Sequence, residues 1–345
     1  MSKPYLIAEV GVNYYDSARE LNMTPLDAAK LYIDEAKRAG VDAVKFQTYK
    51  AETIVSKNSP GYWDMTQEPT PTQYELFKKF DHFGEKEYGE LAEYCREREV
   101  EFMSTPFDIN SADFLTDMVT RFKISSSDIT NLPFLKYIAQ KGKPILLSVG
   151  ASTLAEIQEA VQVITEGGCE DLSLLHCVLS YPCKNEDANL NMIRTLKRLY
   201  PEYTIGYSDH TLPDEHMTIL TTAYLLGADI IEKHFTLNKK LSGNDHYHAG
   251  DPQDFEKAVN NFKLIEQIRG QEQKVVLPCE VIPRREARRS LVFLRQMKKG
   301  EIIGEKDLIA KRPGWGVPPK FVDIVIGREL KCDVDEDTIL EWNMI

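Results

Sequence analysis

The sequence predicts an α/β chain in which a closed (β/α)8 TIM barrel is followed by a small, mostly β module. Three observations carry this expectation. Eight short β-rich runs alternate with amphipathic stretches, which implies parallel pairing, and a count of eight suggests closure. Polar residues gather at the C-terminal ends of those runs, where a barrel keeps its chemistry. Near residue 270 the alternation stops and a different pattern begins. On periodicity alone, an open doubly wound sheet is the alternative.

The eight strand candidates, in order, are YLIAEV (5–10), DAVKFQT (42–48), EFMSTP (101–106), RFKISSS (121–127), PILLSVG (144–150), LSLLHC (172–177), TIGYSD (204–209) and DIIEKHF (229–235). The first helix is expected over 24–40, where apolar residues recur at helical spacing, Thr24 caps the start and Gly40 the end. Further helices are expected over 86–98, 132–141, 153–166, 189–199, 214–226 and 253–268. The stretch 50–84, rich in proline and aromatics, is too long for a plain βα loop and is expected to shape or cover a site. The chain therefore divides into a barrel over 1–270, a Pro- and Arg-rich linker over 271–288, and a β module over 289–345. The last of these is expected to contribute little core by itself.

Composition narrows the function classes. The chain has 345 residues, 42% hydrophobic and 28% charged, as in an ordinary globular protein. Its 42 Lys and Arg against 54 Asp and Glu give a net charge of −12, which argues against nucleic-acid or anionic-membrane partners. No apolar run approaches the roughly 20 residues of a membrane span, and the start lacks the apolar core of a signal peptide. Six scattered cysteines without a Cys-x-x-Cys pair read as reduced thiols of a cytoplasmic protein.

The strand tips carry the chemistry. Glu9 and Asn13 follow the first strand, Lys45 and Gln47 end the second, and Thr105 ends the third. Lys123, Ser126 and Asp128 follow in the fourth and Ser148 in the fifth, then His176 and Tyr181 after the sixth. Ser208, Asp209 and His210 end the seventh, and Glu232 and His234 the eighth. Singly each has a bland reading: Lys45 pairs with a carboxylate, Ser126 caps a helix, His176 is a satisfied interior histidine. As a set they are not what an inert barrel would hold. Neighbouring strands lie about 4.8 Å apart, so His210 and His234 can converge on one ion. Two imidazoles beside carboxylates suit Mn2+ and, less strictly, Mg2+, Co2+ or Zn2+. Two lysines among four hydroxyls suit a phosphate or phospho-carboxylate, and the absence of a Gly-rich phosphate loop implies no nucleotide.

AEVGVN, AGVDAVKFQT, STPFD, FKISSSDITNLPFL, IGYSDHT, IEKHFTL and NDH occur in the order seen in sialic acid (N-acetylneuraminate) synthases and their bacterial nonulosonic acid relatives, which the chain resembles over nearly its full length. The tail KKGEIIGEKDLIAKRPGWG resembles the antifreeze-like (SAF) domain that closes these enzymes. The resemblance implies a transferase that condenses phosphoenolpyruvate with a 2-acetamido hexose, giving a nine-carbon 2-keto acid and phosphate. Two other readings stand beside it: a related 3-deoxy-ulosonic acid synthase using another aldose, and an inactive sugar-binding relative. By motif, Lys45, Thr105, Lys123, Ser126, Ser148 and Ser208 hold phosphoenolpyruvate. His210 and His234 bind a divalent metal, Mn2+ first and Mg2+ or Co2+ next, and Glu9 moves the proton. Gln47, Tyr181 and Asp245 contact the sugar, with Arg312 reaching it from the partner of a homodimer whose SAF domain covers the active site. Departures from the usual pattern fall at Tyr14-Tyr15-Asp16, Asp128, Leu179 and 243–248, mostly on the expected sugar side.

Overall fold

A computed structural model describes residues 3–63, 65–66, 68–243 and 245–345. Its eight parallel strands are β1 (Tyr5–Gly11), β2 (Ala43–Thr48), β3 (Glu101–Pro106), β4 (Phe122–Ile124), β5 (Ile145–Ser148), β6 (Leu172–Cys177), β7 (Thr204–Asp209) and β8 (Ile230–His234). They form one sheet in the order β3-β2-β1-β8-β7-β6-β5-β4, and β4 lies beside β3 to close the TIM barrel. The chain divides into two compact units, Met1–Arg269 and Gly270–Ile345.

Helices follow each strand, and their boundaries have local causes. Pro25–Arg38 starts where the Thr24 hydroxyl accepts from the Asp27 N–H at 3.1 Å. It stops at Gly40, whose φ of +88° suits a residue without a Cβ. Leu154–Glu166 and Pro252–Ile268 open with reciprocal caps, Thr153 with Glu156 and Asp251 with Asp254.

Three expectations are corrected. The helix expected over 214–226 runs only from Thr218 to Leu225, because the Asp214 carboxylate takes the N–H groups of His216 and Thr218 at 2.9 and 2.8 Å and Met217 turns left-handed. The fourth strand is cut to three residues, since the Ser125 hydroxyl accepts from the Ser127 N–H and starts a tight turn over Ser126–Asp128. Short helices such as Tyr14–Leu21, Ile109–Leu115 and Val281–Ala287 go beyond the expectation, being too short to show a clear period.

Alternation along the strands sorts the interior into layers. Ile7, Ala43, Met103, Leu146, Leu175 and Ile230 form an apolar plug. Two residues further along five of those strands stand Glu9, Lys45, Thr105, Ser148 and Glu232, all buried. Gly206 belongs to the plug's depth. A Cβ there would meet the Ile230 carbonyl oxygen at 2.7 Å and Leu175 Cγ at 3.0 Å, so the packing admits no side chain. The opposite strand faces, Leu6, Val44, Phe102 and Ile205 among them, join the main apolar core.

The 50–84 stretch contains two short helices, Ala51–Ile54 and Gln73–Lys78, and a bridge from Pro60 to Thr72. Its Phe80 and Phe83 pack on Tyr15 and Tyr14, with ring centres 5.7 and 5.1 Å apart. The departures at Tyr14 and Tyr15 therefore build an aromatic support under this cover.

The second unit has β9 (Ser290–Phe293) paired antiparallel with β10 (Leu308–Lys311). Contrary to expectation it owns an apolar core, including Leu291, Phe293, Met297, Ile303, Leu330 and Leu340. Arg312 follows β10 and is exposed. Among the described residues no helix is long and apolar enough to cross a membrane.

One buried ion pair clamps β7 to β8 on the helix side. Lys233 Nζ lies 2.5 Å from Asp209 Oδ2 and donates to the Thr211 carbonyl at 2.8 Å, and both side chains are almost wholly buried. Burial alone would raise the Asp209 carboxyl, but the Lys233 ammonium and the Thr211 donors outweigh it and hold it below its ordinary value. Lys233→Ala or Asp209→Ala is expected to cost about 3–5 kcal/mol in denaturant unfolding, because each leaves a lone buried charge. Combining Lys233→Met with Asp209→Leu should cost less than the sum. The depressed carboxyl also fixes the acid limb: the pair's contribution is complete above about pH 4 and is lost as pH falls through the folded value.

Candidate active site

The polar layer opens at the C-terminal end of the barrel into a small cavity. Of the thirteen residues expected to bind substrate or metal or to act in catalysis, eleven line it, all but Asp245 and Arg312. Asp245 stands on the loop after β8, 3.8 Å from the His248 ring, and Arg312 belongs to the second unit.

On one side is an ammonium pair threaded between two carboxylates. Lys45 Nζ is ion-paired with Glu9 and lies 3.8 Å from Glu232 Oε2. Lys123 Nζ is 3.4 Å from Glu232 Oε1. Burial works against the Lys45 charge, yet Glu232 and Glu9 more than offset it and hold the ammonium above its usual value. For Lys123 burial wins, and its value falls despite Glu232. Glu9 is pushed up to about 7 by burial, with Lys45 opposing and Glu232 reinforcing the shift. Glu9 is therefore poised to exchange a proton near neutrality.

Hydroxyls ring this pair. Thr105 Oγ1 accepts from Lys45 at 3.1 Å, Ser208 Oγ donates to Glu232 at 3.0 Å, and Ser126 Oγ accepts the Gly150 N–H at 2.8 Å. Ser148 Oγ is buried without a hydrogen-bond partner. Gln47 donates to Glu9 at 2.9 Å. Ammoniums and convergent hydroxyls are what a phosphorylated carboxylate requires.

The other side is a wall of imidazoles. The rings of His210 and His234 lie 5.5 Å apart, with the Tyr181 ring tilted against His210 at 4.1 Å between centres. His210 Nδ1 is 2.7 Å from the Val178 carbonyl oxygen, which places the proton on Nδ1 and leaves Nε2 with its lone pair. Among the described residues His234 Nδ1 is buried without a hydrogen-bond partner, and burial, with the charges of neighbouring histidines, holds the ring well below its usual value. It is thus neutral at pH 7. A fixed tautomer and an orphaned nitrogen on one wall fit a divalent cation.

Sequence reasoning named Glu232 at a strand tip without a role, whereas the structure sets it between both lysines. It missed Phe107 and Cys177, which line the cavity beside Leu179. It also missed His248, whose spacing from Asp245 in Asp-His-Tyr-His was the available signal. His176 is a satisfied histidine, its Nε2 2.9 Å from the Ala188 carbonyl oxygen. Asn244, part of the 243–248 departure, lies outside the described residues.

Comparison with known proteins places the chain in a family. The NeuB family model matches residues 32–274 and the SAF domain model residues 288–345. An uncharacterized protein of Methanocaldococcus jannaschii is 42% identical over 340 residues, 98% of this chain and 94% of that one. The N,N'-diacetyllegionaminic acid synthase of Legionella pneumophila is 36% identical, over 99% of this chain and 94% of its own. A crystal structure of N-acetylneuraminic acid synthetase from Leptospira borgpetersenii superposes with a TM-score of 0.70 at 34% identity, covering 82% of this chain and 90% of that one.

Lys123→Met is expected to weaken binding of inorganic phosphate, measured by calorimetry, by about 10- to 100-fold, the loss of a hydrogen bond from a charged donor. Unchanged affinity would put the anion elsewhere.

Proposed function

Because the chain belongs to the NeuB family and carries a SAF domain, we propose that it condenses phosphoenolpyruvate with the open-chain aldehyde of a 2-acetamido hexose. The hexose is N-acetylmannosamine or a 6-deoxy di-N-acetyl analogue, and the products are a nine-carbon sialic-acid-like 2-keto acid and phosphate. The observation that carries this reading is one cavity with an ammonium-and-hydroxyl pocket on one side and an imidazole wall on the other.

On this reading Lys45, Lys123, Thr105, Ser126, Ser148 and Ser208 bind the phosphate and carboxylate of phosphoenolpyruvate. They aim its methylene carbon at the aldehyde, and this orientation is itself a large part of the acceleration. Gln47, Tyr181 and Asp245 bind the sugar. A divalent ion, Mn2+ with Mg2+ or Co2+ as substitutes, would be held by His210 and His234 and would supply polarisation of the aldehyde. The methylene carbon forms the new C–C bond as Glu9 passes its proton to the former aldehyde oxygen, and the carbon bearing phosphate becomes an oxocarbenium ion stabilised by the Glu9 and Glu232 carboxylates. Water adds to that carbon and returns one proton to Glu9, leaving a hydroxyl there. The resulting phosphohemiketal collapses: its hydroxyl becomes the ketone, and phosphate departs with the bridging oxygen and the proton.

The reading extends to a homodimer in which Arg312 of the SAF domain is supplied to the partner's sugar site. The SAF match supports this arrangement.

Phosphate release should require both a 2-acetamido hexose and Mn2+, and bridging 18O in phosphoenolpyruvate should emerge in phosphate by mass spectrometry. Label retained in the keto acid, or release without sugar, would overturn the scheme. His210→Ala should lower kcat by at least about 1,000-fold while circular dichroism stays unchanged, as expected for loss of an electrostatic group acting on the transition state. Mixing and re-dimerising His210→Ala with Arg312→Ala should restore activity that neither has alone; no recovery would reject the shared site.

A further inference from the structure

The loop after β8 brings a third imidazole to the wall. His248 is fully buried, and among the described residues neither of its ring nitrogens has a hydrogen-bond partner. Burying such a group unpaired is costly, so the position calls for a ligand rather than a packing role. Its ring centre is 4.9 Å from that of His234. Ligand atoms of His234, Asp245 and His248 all lie within 4.8 Å of one another, a spacing that one ion can bridge.

The loop is held so that this convergence is built in. The Gly250 N–H donates to the His234 carbonyl at 2.8 Å, and the Thr236 N–H returns to the Gly250 carbonyl at 3.0 Å. Asn13 Nδ2 donates to the Asp245 carbonyl at 3.2 Å and to the Phe235 carbonyl at 3.1 Å. His246 Nδ1 is 2.7 Å from Thr236 Oγ1, and the Tyr247 hydroxyl donates to the Tyr181 carbonyl at 3.1 Å. The residues on either side of His248 are thus tied to β8, to the chain after β1 and to the chain after β6. That leaves the His248 ring facing His234.

We propose that His248, with Asp245, is a direct ligand of the divalent cation held by His234. This rests on the cation site of the proposed function and deepens it. A set of imidazoles with one carboxylate favours Mn2+, Co2+ and Zn2+ over Mg2+, which prefers an all-oxygen shell.

The test uses the full chain, stripped of metal with chelator and free of substrates. Calorimetric titration with Mn2+ should show His248→Ala and His248→Gln binding at least 10- to 100-fold more weakly than wild type, the loss that even an outer-shell partner brings. Mg2+ binding should change far less. Pulsed electron paramagnetic resonance on the 15N-histidine-labelled wild-type chain counts the ligating imidazoles without any substitution. A coupling present in wild type and lost in His248→Gln supports the assignment. If the couplings and the Mn2+ affinity are the same in both, His248 is not a ligand, and the Mn2+-dependent condensation stands without it. A wild-type chain that binds no Mn2+ overturns both.

Discussion

Two ammoniums and two carboxylates sealed inside a barrel constrain everything built around them. Lys45, Lys123, Glu9 and Glu232 are each buried, and each charge would be prohibitively costly alone. They are tolerable because strands β1, β2, β4 and β8 bring their charged ends together, where each faces an opposite charge. Glu9, Lys45 and Glu232 stand two positions beyond plug residues on their strands, whereas Lys123 reaches them from the level of the plug, beside Leu146. A slip of one residue in any of these strands would turn its charge toward the helices, so register and chemistry are a single requirement.

The site divides labour by charge. The lysine side offers positive potential to an anion, while on the histidine side burial holds His234 and His248 well below their usual value, so that they offer lone pairs. Glu9 lies on the lysine side with a carboxyl pushed up to about 7, so it can hold or release a proton as its neighbours change charge. Reactants brought to opposite sides of one small cavity are oriented as well as bound.

Much of this was legible in the sequence because barrel strands carry a strong signal: a β-branched run that ends in a charged residue. IIEKHF placed Glu232 and His234 at a tip, and FKISSS placed Lys123 and Ser126. What the sequence could not convey were partners in space. Glu232 reads as one more tip carboxylate until Lys45 and Lys123 are seen beside it. His248 sits on a loop with no period, and hydrogen bonds such as those from Asn13 and Gly250 reveal where it is held. Short helices such as Ile109–Leu115 complete fewer than two turns' worth of pattern, and the start of Thr218–Leu225 was set by an Asp214 side chain rather than by periodicity.

The clamp between Asp209 and Lys233 has a thermal consequence. The desolvation penalty of a buried ion pair shrinks on heating, whereas apolar burial reaches a plateau. The seam between β7 and β8, one residue from each of His210 and His234, therefore holds a larger share of the remaining cohesion as temperature rises. In a warm habitat the spacing of those two rings would be among the last geometric features to blur.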